Sequence, residues 1–162
     1  MTRLKSSILL ADDHGLVRRG LRLILDAQPD LEVVAEASDG AEAIALAQSE
    51  EVDLAILDIS MPRMTGLQAA RELQQRRPDV HVLILSMHES EQYLYEALRA
   101  GASGYVVKTV ADRDLVEACR ATLRGASHFC IRAPSPRWST TICGALAKGS
   151  SRSIRSRPGR PK

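Results

Sequence analysis

Short apolar runs alternating with helical patterns between residues 7 and 124 predict an α/β chain, a three-layer, doubly wound domain with a parallel five-stranded sheet; periodicity alone does not set the strand order, but carboxylates shared by the first and third strands fit the order 2-1-3-4-5. Three observations carry this expectation. Strand-like and helix-like stretches alternate with short gaps, the pattern of parallel strands joined by right-handed crossovers. The third, fourth and fifth strand candidates are almost wholly apolar, as strands covered on both faces must be. Carboxylates close the first and third runs, with Asp12 and Asp13 after Ile8-Leu9-Leu10-Ala11 and Asp58 after Leu54-Ala55-Ile56-Leu57. If those strands are neighbours, the carboxylates share the crevice at the switch point of the sheet.

Taken in order, residues 7–11 form the first strand, and a helix over 16–27 follows with Leu21, Ile24 and Leu25 on one face. Residues 31–37 are the second strand. The helix over 40–48 turns Ala43, Ile44 and Ala47 to the core, with Asp39 as its N-cap. Residues 54–58 are the third strand, and Thr65 caps a helix over 66–76 whose buried face carries Leu67, Ala70 and Leu73. The fourth strand, 81–86, leads to a helix over 91–100 that Gly101 ends. The fifth, 104–107, leads to a helix over 112–123 with Cys119 on its apolar side as a small core residue.

Composition limits the function classes. The 162 residues suit one domain plus a remnant, and 44% hydrophobic content with 3% aromatics implies a core of Leu, Ile, Val and Ala. No apolar stretch approaches the roughly 20 residues of a membrane span, so a cytoplasmic protein without a membrane partner is expected. Cys119, Cys130 and Cys143 are an odd set without metal-ligand spacing, which argues against a disulfide framework or zinc site. Charge divides sharply along the chain. All 20 acidic residues lie before Phe129, and from there on the sequence holds 8 Lys and Arg among Pro, Ser and Gly. A domain over residues 5–125 and a basic, disordered tail over 126–162 are expected.

Three carboxylates in one crevice repel each other unless a hard cation lies among them, and Mg²⁺ prefers oxygen ligands of this kind. The ordered set of Asp12-Asp13, Asp58-Ile59-Ser60-Met61-Pro62 with Gly66, Ser86-Met87-His88, and Lys108 after Tyr105 resembles the receiver domain of two-component response regulators. The phrases Ile84-Leu85-Ser86-Met87-His88-Glu89 and Ala100-Gly101-Ala102-Ser103-Gly104-Tyr105-Val106-Val107-Lys108 resemble the NarL/FixJ (LuxR-type) branch, with the match running from about Lys5 to Gly125. The resemblance implies a flavodoxin-like (βα)5 fold and an aspartyl phosphate formed on Asp58. It implies Mg²⁺ held by Asp13 directly, by Asp12 through water, by Asp58, and by the backbone carbonyl of Ser60. Lys108 and Ser86 are then phosphate-binding groups. Tyr105 is a switch residue that rotates inward to reshape the face of the fourth helix, fifth strand and fifth helix. Thr109 stands where many family members carry Pro.

Other residues receive plainer readings. Pro62 and Gly66 shape the loop that positions the Ser60 carbonyl, by fixing φ and by permitting close packing. Met87 and His88 border the pocket and govern access to it. His14, His81 and His128 are read as surface or packing residues. The implied partners are a sensor histidine kinase and, on phosphorylation, a second copy of the chain.

The tail departs from the family. A NarL/FixJ-type regulator continues into a helix-turn-helix domain, whereas residues 125–162 show no amphipathic recognition helix. Codons able to encode Cys130 to Arg160, read one base earlier, permit Val-Asp-Asp-Tyr-Leu-Arg-Arg and then Pro-Leu-Thr-Pro-Arg-Glu. That second string resembles the entry to the family's DNA-binding domain. The expectation is a frameshift near codon 129 that leaves the DNA-binding output missing or displaced. A functional basic arm that binds nucleic acid non-specifically is the competing reading. The leading functional expectation is a phosphorelay regulator of transcription rather than an enzyme, and the alternative is a stand-alone receiver acting as a phosphate sink or protein-interaction switch. An aspartate-nucleophile phosphatase fits less well, because such enzymes carry Asp-x-Asp at the first strand.

Overall fold

The structure, a computed structural model, describes residues 4–88, 90–125 and 129–131. Strands β1 (Ser6–Ala11), β2 (Leu31–Ala37), β3 (Leu54–Asp58), β4 (His81–Ser86) and β5 (Gly104–Val107) alternate with helices α1 (Gly15–Asp26), α2 (Gly40–Ser49), α3 (Gly66–Arg76), α4 (Glu91–Arg99) and α5 (Ala111–Leu123). A single 3-10 turn, Lys108–Val110, joins β5 to α5. All strands pair in parallel, and the first five follow the expected order 2-1-3-4-5.

One strand was not foreseen. Residues Phe129–Ile131 form β6, which pairs in parallel with residues 104–106 of β5 and extends the sheet beyond Gly125. Three residues carry no readable period, so hydrophobic patterning did not announce this strand. Its backbone supplies partners to a β5 edge that would otherwise present open N–H and C=O groups. The tail expected over 126–162, with the frameshift placed near codon 129 and the competing basic arm, includes β6, while its residues 126–128, His128 among them, and 132–162 lie outside the described residues.

Side chains alternate across the sheet into two cores. One holds Leu9, Ala55, Leu57, Val82 and Ile84 against Ile44, Leu67, Leu73 and Leu94 of α2, α3 and α4. The other holds Ile8, Leu10, Ile56, Leu83 and Leu85 against Leu21, Leu25, Leu115 and Cys119 of α1 and α5. β3 is buried along its whole length, as its apolar sequence requires. Both expected caps are present. Asp39 accepts a hydrogen bond from the Glu42 N–H, and Thr65 forms a reciprocal capping box with Gln68. Ser90 also caps α4, and Gly101 at φ +95° follows that helix in the left-handed region. These helix ends hold the loops that carry the site.

Candidate functional site

Parallel strands bring their carboxyl ends to one edge of the sheet, and that edge gathers the residues singled out above. Asp12 follows β1, Asp58 ends β3, Ser86 ends β4, and Lys108 follows β5. Asp58 and Asp12 are 2% and 0% exposed, so neither carboxylate is solvated in the ordinary way. The Lys108 ammonium lies between them, 2.8 Å from Asp12 Oδ2 and 3.0 Å from Asp58 Oδ2.

The other oxygens of the pair face elsewhere. Asp12 Oδ1 accepts the His14 backbone N–H at 2.8 Å, and Asp58 Oδ1 accepts the Ser60 backbone N–H at 3.3 Å. Burial pushes the Asp58 carboxyl up to about 6, with the Asp12 charge adding to the rise and Lys108 opposing it. For Lys108, burial works to lower the pKa, but the bonds to Asp12 and Asp58 outweigh it and hold the ammonium above its usual value. Lys108 is therefore charged at neutral pH, and Asp58 is a carboxylate that one cation only partly compensates.

Asp12, Asp13, His14 and Asp58 each present one ligand atom, all within 4.8 Å of one another. The chemistry of this set fits a divalent cation. Carboxylates outnumber the single ammonium, and the buried Asp12 Oδ2 has Lys108, which it shares with Asp58, as its partner at 2.8 Å. Asp13 is the more open carboxylate, with its side chain 31% exposed beside the His14 ring.

The loop after β3 explains its own sequence. A Cβ placed on Gly66 would sit 2.1 Å from the Asp58 carbonyl oxygen, so only glycine allows the start of α3 to pack against the strand end that carries Asp58. The Gly66 N–H donates to the Ile59 carbonyl at 3.1 Å and closes the loop. Between them, Arg63 adopts φ +64° and reaches Asp39 at 2.9 Å. Sequence reading assigned that left-handed position to no residue, since Arg carries no signal for it.

The remaining candidates fall around the pocket. Ser86 is buried, and its Oγ accepts the His88 N–H at 3.0 Å. Met87 is 60% exposed. The Tyr105 ring is buried, and its hydroxyl donates to the His88 carbonyl at 2.5 Å. The His88 ring stacks on Tyr93 with centroids 5.5 Å apart. His81 begins β4 at the opposite end of the sheet, as a surface or packing reading requires. Cys119 is a core residue whose thiol burial pushes up to about 12. Sequence reasoning missed the side chain of His14, whose contact with both Asp12 and Asp13 depends on how the chain turns from β1 into α1.

A buried carboxylate, a partner lysine and an acidic cluster at the switch edge of a (βα)5 sheet are the arrangement of a receiver. Comparison with known proteins reaches the same class. The model of the response regulator receiver domain matches residues 8–120, and the chain belongs to that family. It is 40% identical over 129 residues to the uncharacterized transcriptional regulatory protein YxjL of Bacillus subtilis, covering 80% of this chain and 59% of YxjL. It is 41% identical to the transcriptional regulatory protein DegU of Brevibacillus brevis, covering 77% of this chain and 53% of DegU. Among solved structures, a LuxR-family two-component response regulator from Aurantimonas sp. SI85-9A1 superposes with a TM-score of 0.74 at 35% identity, over 91% of this chain and 99% of that one. These relatives place the receiver among LuxR- and NarL-family regulators. The chain spans little more than half the length of the curated relatives it matches. No helix among the described residues is long and apolar enough to cross a membrane.

Proposed function

We propose that Asp58 accepts a phosphoryl group from a phosphohistidine on a partner sensor kinase, in a reaction that depends on Mg²⁺. The observation that carries this reading is the buried Asp58 carboxylate held 3.0 Å from Lys108, with a second buried carboxylate sharing the same ammonium. In the transfer, one Asp58 oxygen forms the new bond to phosphorus as the phosphorus–nitrogen bond of the donor breaks and its imidazole leaves. Mg²⁺ bound by Asp12, Asp13, Asp58 and the Ser60 carbonyl would offset charge on the phosphoryl oxygens.

The chain's own groups do the positioning. Lys108 gives up its contact with Asp58 Oδ2 and pairs with a phosphoryl oxygen as a point charge, retaining Asp12 as its second partner. Ser86 turns its hydroxyl from the His88 N–H toward another oxygen. Because the His88 segment is joined to both Ser86 and the Tyr105 hydroxyl, that turn loosens the loop on which Tyr105 rests. Phosphorylation thereby shifts the population of the face formed by α4, β5 and α5 through a differential contact.

Transcriptional control through a DNA-binding region like that of the regulators it resembles is the output we infer, with dimerisation on phosphorylation and a cytoplasmic location. A stand-alone receiver acting as a phosphate sink or protein-interaction switch is the second reading, and the lack of an amphipathic recognition-helix pattern in the sequence of residues 125–162 favours it. Titration with beryllofluoride, with and without Mg²⁺, tests the pocket. Saturable binding that requires Mg²⁺ and disappears in Asp58→Ala supports the assignment, and metal-independent binding contradicts it.

A further inference from the structure

We propose that His14 supplies a nitrogen ligand to the acidic cluster and so tilts the site toward transition-metal divalent cations such as Ni²⁺ relative to Mg²⁺. The inference rests on the reading above that these carboxylates hold a divalent ion, and it deepens that reading by naming the cation class the site prefers. His14 Nδ1 lies 3.1 Å from Asp13 Oδ1 and 3.3 Å from Asp12 Oδ1. Ligand atoms on adjacent vertices of an octahedron with metal bonds of about 2.1 Å are separated by √2 times that length, about 3.0 Å. His14 Nδ1 thus already stands near the spacing of a neighbouring ligand from the Asp13 oxygen and a few tenths of an ångström beyond it from the Asp12 oxygen.

Two further features leave them available. Lys108 occupies the opposite oxygen of Asp12, Oδ2, at 2.8 Å, so Oδ1, which accepts the His14 backbone N–H, keeps a lone pair on the His14 side. The His14 side chain is 62% exposed, which lets the imidazole adjust to an incoming ion. His14 is also the N-cap of α1, yet its side chain makes no capping hydrogen bond. Ser, Thr, Asp or Asn would cap that helix, so helix stability does not account for a histidine here.

Imidazole suits nickel, zinc and copper, whereas Mg²⁺ selects oxygen, and divalent affinities for mixed nitrogen and oxygen sites rise toward copper. The opposite possibility is physically distinct. If His14 acts as a cation that neutralises Asp12 and Asp13, it competes with metal, and removing it strengthens binding.

The test is calorimetric titration of the full chain with Ni²⁺ and with Mg²⁺, for wild type, His14→Asn and His81→Asn, His81 lying at the other end of the sheet. Only Ni²⁺ binding displaced by excess Mg²⁺ is counted, which confines the measurement to the carboxylate site. We expect Ni²⁺ to bind about tenfold more weakly to His14→Asn, Mg²⁺ affinity to stay within about twofold, and His81→Asn to match wild type. Nitrogen hyperfine coupling in the electron paramagnetic resonance spectrum of Mg²⁺-displaceable Cu²⁺ should be lost in His14→Asn alone. Unchanged or tighter Ni²⁺ binding in His14→Asn, with Mg²⁺ still bound, overturns the proposal and leaves the receiver reading standing. If neither ion binds the wild-type cluster, the metal site itself fails and the proposal with it.

Discussion

The two ends of the sheet place the same residue types in opposite circumstances. At the amino ends of the strands, Asp30 meets Arg120 of α5 through bonds of 2.9 and 3.0 Å, and Asp79 meets Arg77 at 2.9 and 3.0 Å. The arginine hydrogen bonds hold both carboxyls below their usual range. At the carboxyl ends, Asp58 also has a cationic partner, yet burial drives it the other way, up to about 6. A planar guanidinium in water stabilises a carboxylate that was soluble already. One ammonium shared by two buried carboxylates leaves a charge deficit, and that deficit is what a cation and a phosphoryl group can use. The first end staples helices to the sheet, and the second stores unfavourable charge for function.

The largest effect expected from breaking this contrast is chemical. Asp58→Ala should abolish labelling by a small phosphodonor such as acetyl phosphate, measured as radiolabel per chain, whereas Asp30→Ala at the other end should label like wild type. Next comes geometry. Gly66→Ala drives a Cβ into the Asp58 carbonyl, and because that contact is with backbone, chemical denaturation should show a loss of about 3 kcal/mol or more.

A third prediction turns on the sign of the Asp58 shift. Its pKa is higher folded, about 6, than the ordinary 3.8, so the folded state binds more protons between those values and stability of the metal-free protein falls as pH rises through that window. Asp58→Asn removes the charge. At 1.36 kcal/mol per pKa unit it should stabilise the metal-free protein by about 2 to 3 kcal/mol at neutral pH, with the gain vanishing below about pH 4. Equal stability of the two proteins at neutral pH would mean that Lys108 compensates Asp58 fully.

Smaller effects follow. Met87 directly follows Ser86 and is exposed, so on the reading that its bulk obstructs water approaching Asp58, Met87→Ala should shorten the lifetime of the Asp58 phosphate severalfold. An unchanged decay of labelled phosphate would show that water approaches from another side. Arg120→Ala should change the thermal midpoint least, and not measurably in high salt, because its partners lie at the solvent-facing end of the sheet.

Much of this was readable from residue order. Long apolar runs such as Leu54-Ala55-Ile56-Leu57 announce doubly covered strands, and Asp12, Asp58, Ser86 and Lys108 each stand beside a strand end, where sequence distance converts directly into position. The strand order came not from periodicity but from the fit of a carboxylate crevice shared by the first and third strands, and the gathering of these four groups went with it. What depended on three-dimensional closeness was not readable. The pairing of Asp30 with Arg120 spans 90 residues, and the collision that demands Gly66 involves a backbone carbonyl eight positions earlier. β6 is too short to show a period, and its role depends on the β5 edge it meets. His14 read as a surface group because exposure and participation in the cluster are both true of it.

The account turns on Asp58 being reactive because it is buried and undercompensated, and intact-mass spectrometry after exposure to acetyl phosphate and Mg²⁺ tests this most directly. One base-labile phosphoryl group per chain is predicted, mapping to Asp58 and lost when Mg²⁺ is chelated beforehand. A label that persists in Asp58→Ala, or that forms equally well without the metal, would contradict it.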